Sequence, residues 1–313
     1  MSKLQLRASA FMVVALVAQG CAPPEAGRDT TSGPLRVVAT TGMIGDAARR
    51  LGGEHVAVTA LMGPGVDPHL YKASEGDVRL LADADLILYN GLHLEGKMGD
   101  VLVKMARTRP VVAVSEDLPR DELREPPEMA GQYDPHVWFD VALWAKTLAP
   151  IERELARLAP AHAATFAANR QAYEAELAEL DAWVKELIAT IPVEQRVLIT
   201  AHDAFGYFGR RYGIRVVGLQ GISTLAEAGL KDVDRVVDEI VAKRIPAIFV
   251  ESSVPRRAIE AVESAVRSRG HEVVIGGQLF SDALGAADSP AGNYPGMVRA
   301  NVETIVRSLG GTL

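Results

Sequence analysis

Two passages with the same strand, helix, strand order, separated by one unbroken helical stretch, confine this chain to a narrow set of folds. Short Val-, Ile- and Leu-rich runs at residues 36–41, 56–62, 85–90 and 110–114 are separated by helical segments, and the order returns at 196–200, 215–219, 247–251 and 272–276. Runs that are apolar on both faces and alternate with helices are the pattern of parallel strands covered on both sides. The letters echo as well: RVVATTGMIGDAARRLGGEHVAV from Arg36 resembles RVLITAHDAFGYFGRRYGIRVV from Arg196. The expected fold is therefore α/β, with two doubly wound lobes, each built on a parallel four-stranded sheet.

Between the passages, residues 160–191 lack turn signals; Pro160 suits a first helical position and Pro192 closes the segment. Phe166, Tyr173, Leu177, Leu180, Val184, Leu187 and Ile191 repeat at three and four residues, which draws one apolar stripe. At ~1.5 Å per residue the segment would span roughly 48 Å, enough to run along both lobes as a stiff strut that limits hinge closure. The expected division is an N-terminal lobe at 35–159, a linking helix at 160–192 and a C-terminal lobe at 193–313, with a ligand site in the cleft between lobes.

The 313 residues are 48% hydrophobic and 23% charged, which supports a large core and excludes disorder. The net charge is −7, and basic residues cluster only in pairs such as Arg49-Arg50 and Arg256-Arg257. Nucleic acid is excluded, because phosphate binding needs a basic patch. The single cysteine, Cys21, rules out an intramolecular disulfide and a Cys-rich zinc module. Any metal must be held by His, Asp or Glu.

Residues 1–20 read as a signal peptide: Lys3 and Arg7 stand without an acid, and the apolar run at 10–18 is far short of the ~20 residues that span a bilayer. Ala18, Gly20 and Cys21 resemble a bacterial lipobox, with Ala18 where leucine is usual, and a lipid on Cys21 would tether the chain to a membrane. The same Ala-Gln-Gly also suits ordinary signal cleavage. Residues 21–34, rich in Pro, Gly, Ser and Thr, read as a flexible tether.

Two of the seven histidines sit in one repeated tripeptide, Asp67-Pro68-His69 and Asp134-Pro135-His136. Proline fixes its own φ and pushes its predecessor out of the helical region, so both histidines stand on defined corners. Both follow strands of the first lobe, where doubly wound sheets keep their ligand crevice. His202 follows the first strand of the second lobe and Asp282 its last, so two candidates from each lobe would meet on one ion. Candidate acceptors for the second ring nitrogens are Asp67, Asp134, Asp140 and Glu251.

Other features read as structural. The stretch from Gly91 to Met98 nearly spells a phosphate-binding loop, but Met98 replaces the hydroxyl residue and Glu95 would repel phosphate. His93 is not a ligand on this reading, and His55, His162 and His271 are solvated or packed. Thr224 to Glu227 has capping-box spacing and is expected to start a helix. A secreted zinc-dependent hydrolase is the alternative function, with Asp203 as its base, although four protein ligands would close the shell that catalysis needs open.

The chain resembles the solute-binding proteins of bacterial zinc and manganese ABC transporters, the solute-binding protein family 9, and its TroA-like members in particular. The resemblance rests on DPHLY at 67–71, NGLHLEGKM at 90–98, DPHVWFDV at 134–141, AHDAFGYF at 201–208, the segment 218–229, IFVESS at 248–253 and GGQLFSDALG at 276–285. It implies that His69, His136, His202 and Asp282 are the metal ligands and that Zn²⁺ or Mn²⁺ is the transported ligand. It implies further that the protein is no enzyme, that its partners are a permease and its ATPase, and that it works outside the cytoplasm in the periplasm or cell envelope. A monomer is expected, and an additional adhesin role is compatible with the sequence. Three imidazoles and a carboxylate favour zinc in affinity. The His-rich acidic loop usual in dedicated zinc receptors is missing from residues 118–133, which leaves the choice of ion open.

Overall fold

The computed structural model describes residues 33–129 and 131–313, so the expected signal peptide, Cys21 and most of the tether lie outside the described residues. The first half runs β1 (Leu35–Ala39), α1 (Gly42–Gly52), β2 (Val56–Ala60), α2 (Glu75–Asp83), β3 (Leu86–Tyr89), α3 (Gly99–Met105) and β4 (Val111–Ala113). Then come α4 (Val141–Lys146), α5 (Leu148–Leu158) and the long α6 (Ala163–Ala189). The second half runs β5 (Val197–His202), α7 (Gly206–Tyr212), β6 (Arg215–Gln220), α8 (Leu230–Lys243), β7 (Ala247–Glu251), α9 (Arg257–Ser268), β8 (Val274–Leu279) and α10 (Tyr294–Ser308).

All eight strands fall where the apolar runs predict them, within about three residues at any end. In the first half they form one parallel sheet in the order β2-β1-β3-β4. Burial follows the order: β1 and β3 are buried at their centres, whereas edge strand β2 alternates between half-buried and exposed positions. In the second half β5 pairs with β6 and β7 with β8, again in parallel. β5 packs beside β7 but shares no hydrogen-bonded ladder with it, so the four expected strands make two two-stranded ladders. Along β8 the register jumps from Ile275 opposite Ile248 to Gly277 opposite Phe249, and Gly277, at φ +155°, absorbs the extra residue.

Helix α6 is the strut, preceded by a 3₁₀ turn at Pro160–His162. Its buried stripe is Phe166, Tyr173, Leu177, Leu180, Val184 and Ile188. Ile188 takes the place predicted for Leu187, because at 3.6 residues per turn the stripe drifts round the helix. One apolar core runs from β1 and α1 through α5 and α6 to Leu198, Phe249 and α10, while two smaller cores fill the remaining sides of the sheets. Thr224 does not start a helix: α8 begins six residues later, where the Gly229 N–H donates to Asp232 Oδ2 at 3.0 Å. Residues 225–227 are exposed and offer no apolar stripe to bury, so the capping spacing has no helix to serve.

Candidate metal centre

Every strand that contributes to the site does so from its carboxyl end. His69 stands in the loop after β2, His136 in the loop after β4, His202 is the last residue of β5, and Asp282 follows β8. The local sequence sets each corner. Asp67 Oδ1 accepts the His69 main-chain N–H at 2.8 Å, and Asp134 Oδ1 accepts that of His136 at 3.0 Å, so the two Asp-Pro-His segments close the same side-chain turn.

The four predicted residues come together. Their exposures are 3% for His69, 2% for Asp282 and 0% for His136 and His202, and one donor atom from each lies within 4.8 Å of all the others. His69 Nε2 is 3.3 Å from His136 Nε2, His136 Nε2 is 3.5 Å from Asp282 Oδ1, and His202 Nε2 is 3.4 Å from Asp282 Oδ2. A tetrahedral zinc ion with bonds of about 2.0–2.1 Å sets its donors ~3.3–3.4 Å apart, and these three separations are already close to that value, with all four donors inside 4.8 Å. His202 Nε2 and Asp282 Oδ1 are buried with no aligned hydrogen-bond partner. Buried polar atoms without partners are costly, and a cation would satisfy both. The donor set thus fits a divalent transition ion.

Two of the four expected acceptors hold an imidazole. Asp134 Oδ1 lies 2.8 Å from His136 Nδ1, and Glu251 Oε2, at the end of β7, lies 2.5 Å from His202 Nδ1. These contacts turn each Nε2 toward the centre. Asp67 acts on the His69 backbone instead of its ring. Asp140 accepts the Leu143 N–H as the cap of α4 and faces Arg211 at 3.5 Å, so it touches none of the rings.

Burial drives the His69 imidazole down to about 3, leaving it neutral. Burial also opposes charge on His136, but the hydrogen bond to Asp134 and the nearby carboxylate of Asp282 outweigh it and raise this ring to about 9. On His202 the same burial is overcome by the charges of Glu251 and Asp282, which lift it well above its ordinary value. Burial would raise Asp282, yet His202 and His136 hold its carboxyl well below the usual range.

Sequence reasoning missed the residues that brace the site. The Arg124 guanidinium donates to Asp134 Oδ2 at 2.5 Å, and Tyr207 of the second half donates to the Asp134 carbonyl at 2.9 Å. The Trp138 indole donates across to the Ser281 carbonyl at 2.9 Å, next to Asp282. Ser253 Oγ lies 3.1 Å from Asp282 Oδ2. Spacing carries no signal for such contacts. The remaining histidines stay outside the site: His55 and His162 stack at 3.7 Å, and His271 Nε2 faces the Ile245 carbonyl at 3.3 Å. His93 sits in a left-handed turn at φ 64°. Glu95 is buried and accepts from Thr40, Asn90 and Gly91, so the near-phosphate loop is folded around its own carboxylate. Burial pushes that carboxyl up.

Residues 37–308 match the family described as ZnuA, zinc-uptake complex component A, periplasmic. The chain belongs to this family. The family is one of substrate-binding transport components, not of enzymes. Over 301 residues the chain is 48% identical to the manganese-binding lipoprotein MntA of Bacillus subtilis, covering 96% of this chain and 98% of that one. Over 273 residues it is 50% identical to the zinc-binding protein TroA of Treponema pallidum, covering 87% and 88%. The solved structure of the Treponema protein superposes with a TM-score of 0.86, covering 88% of this chain and 99% of that one. Among family members this similar, one is named for manganese and the other for zinc.

Proposed function

We propose that the protein is the extracytoplasmic ion-binding component of an ABC importer of Zn²⁺ and/or Mn²⁺. His69, His136, His202 and Asp282 hold the ion between the halves, and the protein passes it to a membrane permease driven by its ATPase. The observation that carries this reading is the convergence of donor atoms from three imidazoles and one carboxylate within 4.8 Å of one another, three of the pairs at 3.3–3.5 Å, sealed from solvent. Family membership and the printed names of MntA and TroA support it.

Four protein donors leave no open position for a catalytic water, which counts against the zinc hydrolase. The lobes are residues 35–159 and 193–313, joined by 160–192, and the protein acts as a monomer. Cleavage after residue 20 and lipidation of Cys21 anchor it outside the membrane, in keeping with the lipoprotein name of MntA. No described helix is long and apolar enough to cross a bilayer. Ordinary affinity order favours zinc over manganese at such a site, so the physiological ion is set by supply as much as by chemistry.

Nanomolar affinity corresponds to about −12 kcal/mol, and metal at a thousandfold excess over Kd stabilises the fold by about 4 kcal/mol. A thermal melt of chelator-stripped protein should therefore rise sharply on adding Zn²⁺ or Mn²⁺. His202→Ala should abolish the rise and His93→Ala should leave it intact. No shift with either ion, or equal effects of the two substitutions, would refute the assignment.

A further inference from the structure

Residues 221–229, between β6 and α8, form neither helix nor strand. The loop carries exposed side chains in Leu225 and Glu227. Thr224 is nonetheless buried, at 8% exposure, because its hydroxyl crosses to the first half and donates to Asp67 Oδ2 at 2.6 Å. The other oxygen of that carboxylate accepts the main-chain N–H of His69 at 2.8 Å. One carboxylate thus ties a surface loop of the second half to the backbone of one of the four converging donors.

His69 differs from the other two histidines in this respect. His136 and His202 have buried carboxylates against Nδ1, and both acceptors lie deep in their own halves. His69 is held through its backbone, by a carboxylate whose second partner belongs to the opposite half. A groove of 310 Å³, lined by Asp67, Leu70, Thr224, Glu227, Val254 and Arg257, runs beside this contact. Solvent therefore reaches the outer side of the Thr224–Asp67 bond, while the inner side faces the site.

We propose that Thr224 is a positioning residue for ion retention: its hydroxyl latches the 221–229 loop onto the Asp67-Pro68-His69 corner, and the ion leaves when this latch opens. The proposal rests on the reading of the four donors as ion ligands. It gives the halves a local exit that does not require bending the strut. Losing a hydrogen bond to a carboxylate corresponds to ~10–100-fold in an equilibrium, and here that factor falls on the open state through which the ion departs.

The test compares Thr224→Val, which keeps the shape and removes the donor, with Thr224→Ser, which keeps the donor. Zn²⁺-loaded protein is mixed with excess chelator in stopped flow, and the melting temperatures of the stripped proteins are measured in parallel. The valine variant should release Zn²⁺ about tenfold faster or more, the serine variant within about threefold of the parent, with the stripped valine variant melting cooperatively and no more than several degrees lower. Where Thr224→Val fails to fold, Thr224→Ala takes its place with the same expectation. Release unchanged in the hydroxyl-free variant, equal acceleration in both variants, or faster release only alongside loss of the cooperative stripped melt overturns the latch. Failure of the parent to bind Zn²⁺ or Mn²⁺ at all overturns the ion-capture reading itself, and the latch with it.

Discussion

Glu251→Gln is the substitution that most directly probes how the site is wired. Glu251 is 2% exposed; one oxygen accepts the His202 main-chain N–H at 2.8 Å and the other lies 2.5 Å from His202 Nδ1. Glutamine keeps the shape and one acceptor but loses the charge and offers an N–H₂ group where the ring nitrogen needs an acceptor. Charge balance gives the first estimate. Asp282 and Glu251 bring two negative charges to the buried site, while the charge of Asp134 is countered by Arg124 at 2.5 Å. Removing Glu251 takes one of these negative charges away from a divalent ion held among neutral imidazoles. At roughly 6 Å from a divalent ion and an effective dielectric of about 20, that charge is worth at most ~5.5 kcal/mol. The second estimate is independent: losing an acceptor that orients a metal-bound histidine costs about 10–100-fold in affinity, or ~1.4–2.7 kcal/mol. The second estimate is the tighter bound, so affinity should weaken by at least about 10- to 100-fold. Competition with a chelator of known affinity measures it, with Glu263→Gln on the outer face of α9 as the control. A folded Glu251→Gln protein that binds within about threefold of the parent would refute the argument that this carboxylate supports the ion through His202.

Ion uptake should weaken on acidification. Protons compete with the ion for the ring nitrogens, and His136, raised to about 9, and His202, raised well above its ordinary value by Glu251 and Asp282, must each give up a proton to bind. The logarithm of apparent affinity should climb by about two per pH unit near neutrality, read by chelator competition across that range; a flat profile refutes it. Asp181→Asn, in the strut, should destabilise the stripped fold by about 2–3 kcal/mol, because it removes the charge and one of the two oxygens that together accept from Arg211 at 2.7 and 2.9 Å, Lys185 at 2.6 Å and Tyr212 at 3.0 Å. Burial would raise that carboxyl, yet Arg211 and Lys185 hold it below 3.8. A depressed acid stabilises above its unfolded value and loses that stability as pH falls through the folded one. The gap between parent and variant in denaturant melts should therefore close in acid below about pH 4, and a gap that persists there counts against the pairing.

What was legible in the sequence is what depends on short stretches of chain. Strand positions were readable because a parallel strand covered on both faces must be apolar throughout, and His69 and His136 were readable because each Asp-Pro-His builds its own corner. His202 and Asp282 stood out by their place at strand ends. Contacts between distant segments left no such trace. Asp140 and Asp134 look alike on paper, yet one caps α4 and the other faces an imidazole, a difference set by the path of the chain after β4. The role of Thr224 is hidden for the same reason: its spacing to Glu227 is local, whereas its partner is 157 residues away. The split between β5 and β7 was equally invisible, since both strands are fully buried and hydropathy does not report which neighbour shares a ladder.

The braces around the site bear on how an ion can leave. The Tyr294 hydroxyl of α10 donates to the Trp138 carbonyl at 2.7 Å, its main-chain N–H reaches Asp46 of α1 at 3.0 Å, and the Trp138 indole holds Ser281. On the strut side, Asp181 is tied to Arg211 of α7, which also faces Asp140 at 3.5 Å. These links join the two halves on both sides of α6, around a core that is continuous through all three parts. A hinge motion of the halves would have to break all of them and open that core, at a cost of many kcal/mol. The Thr224–Asp67 bond joins the halves beside a groove open to solvent. The least costly opening is accordingly a displacement of residues 221–229 that frees the His69 corner while α6 and its core stay in place.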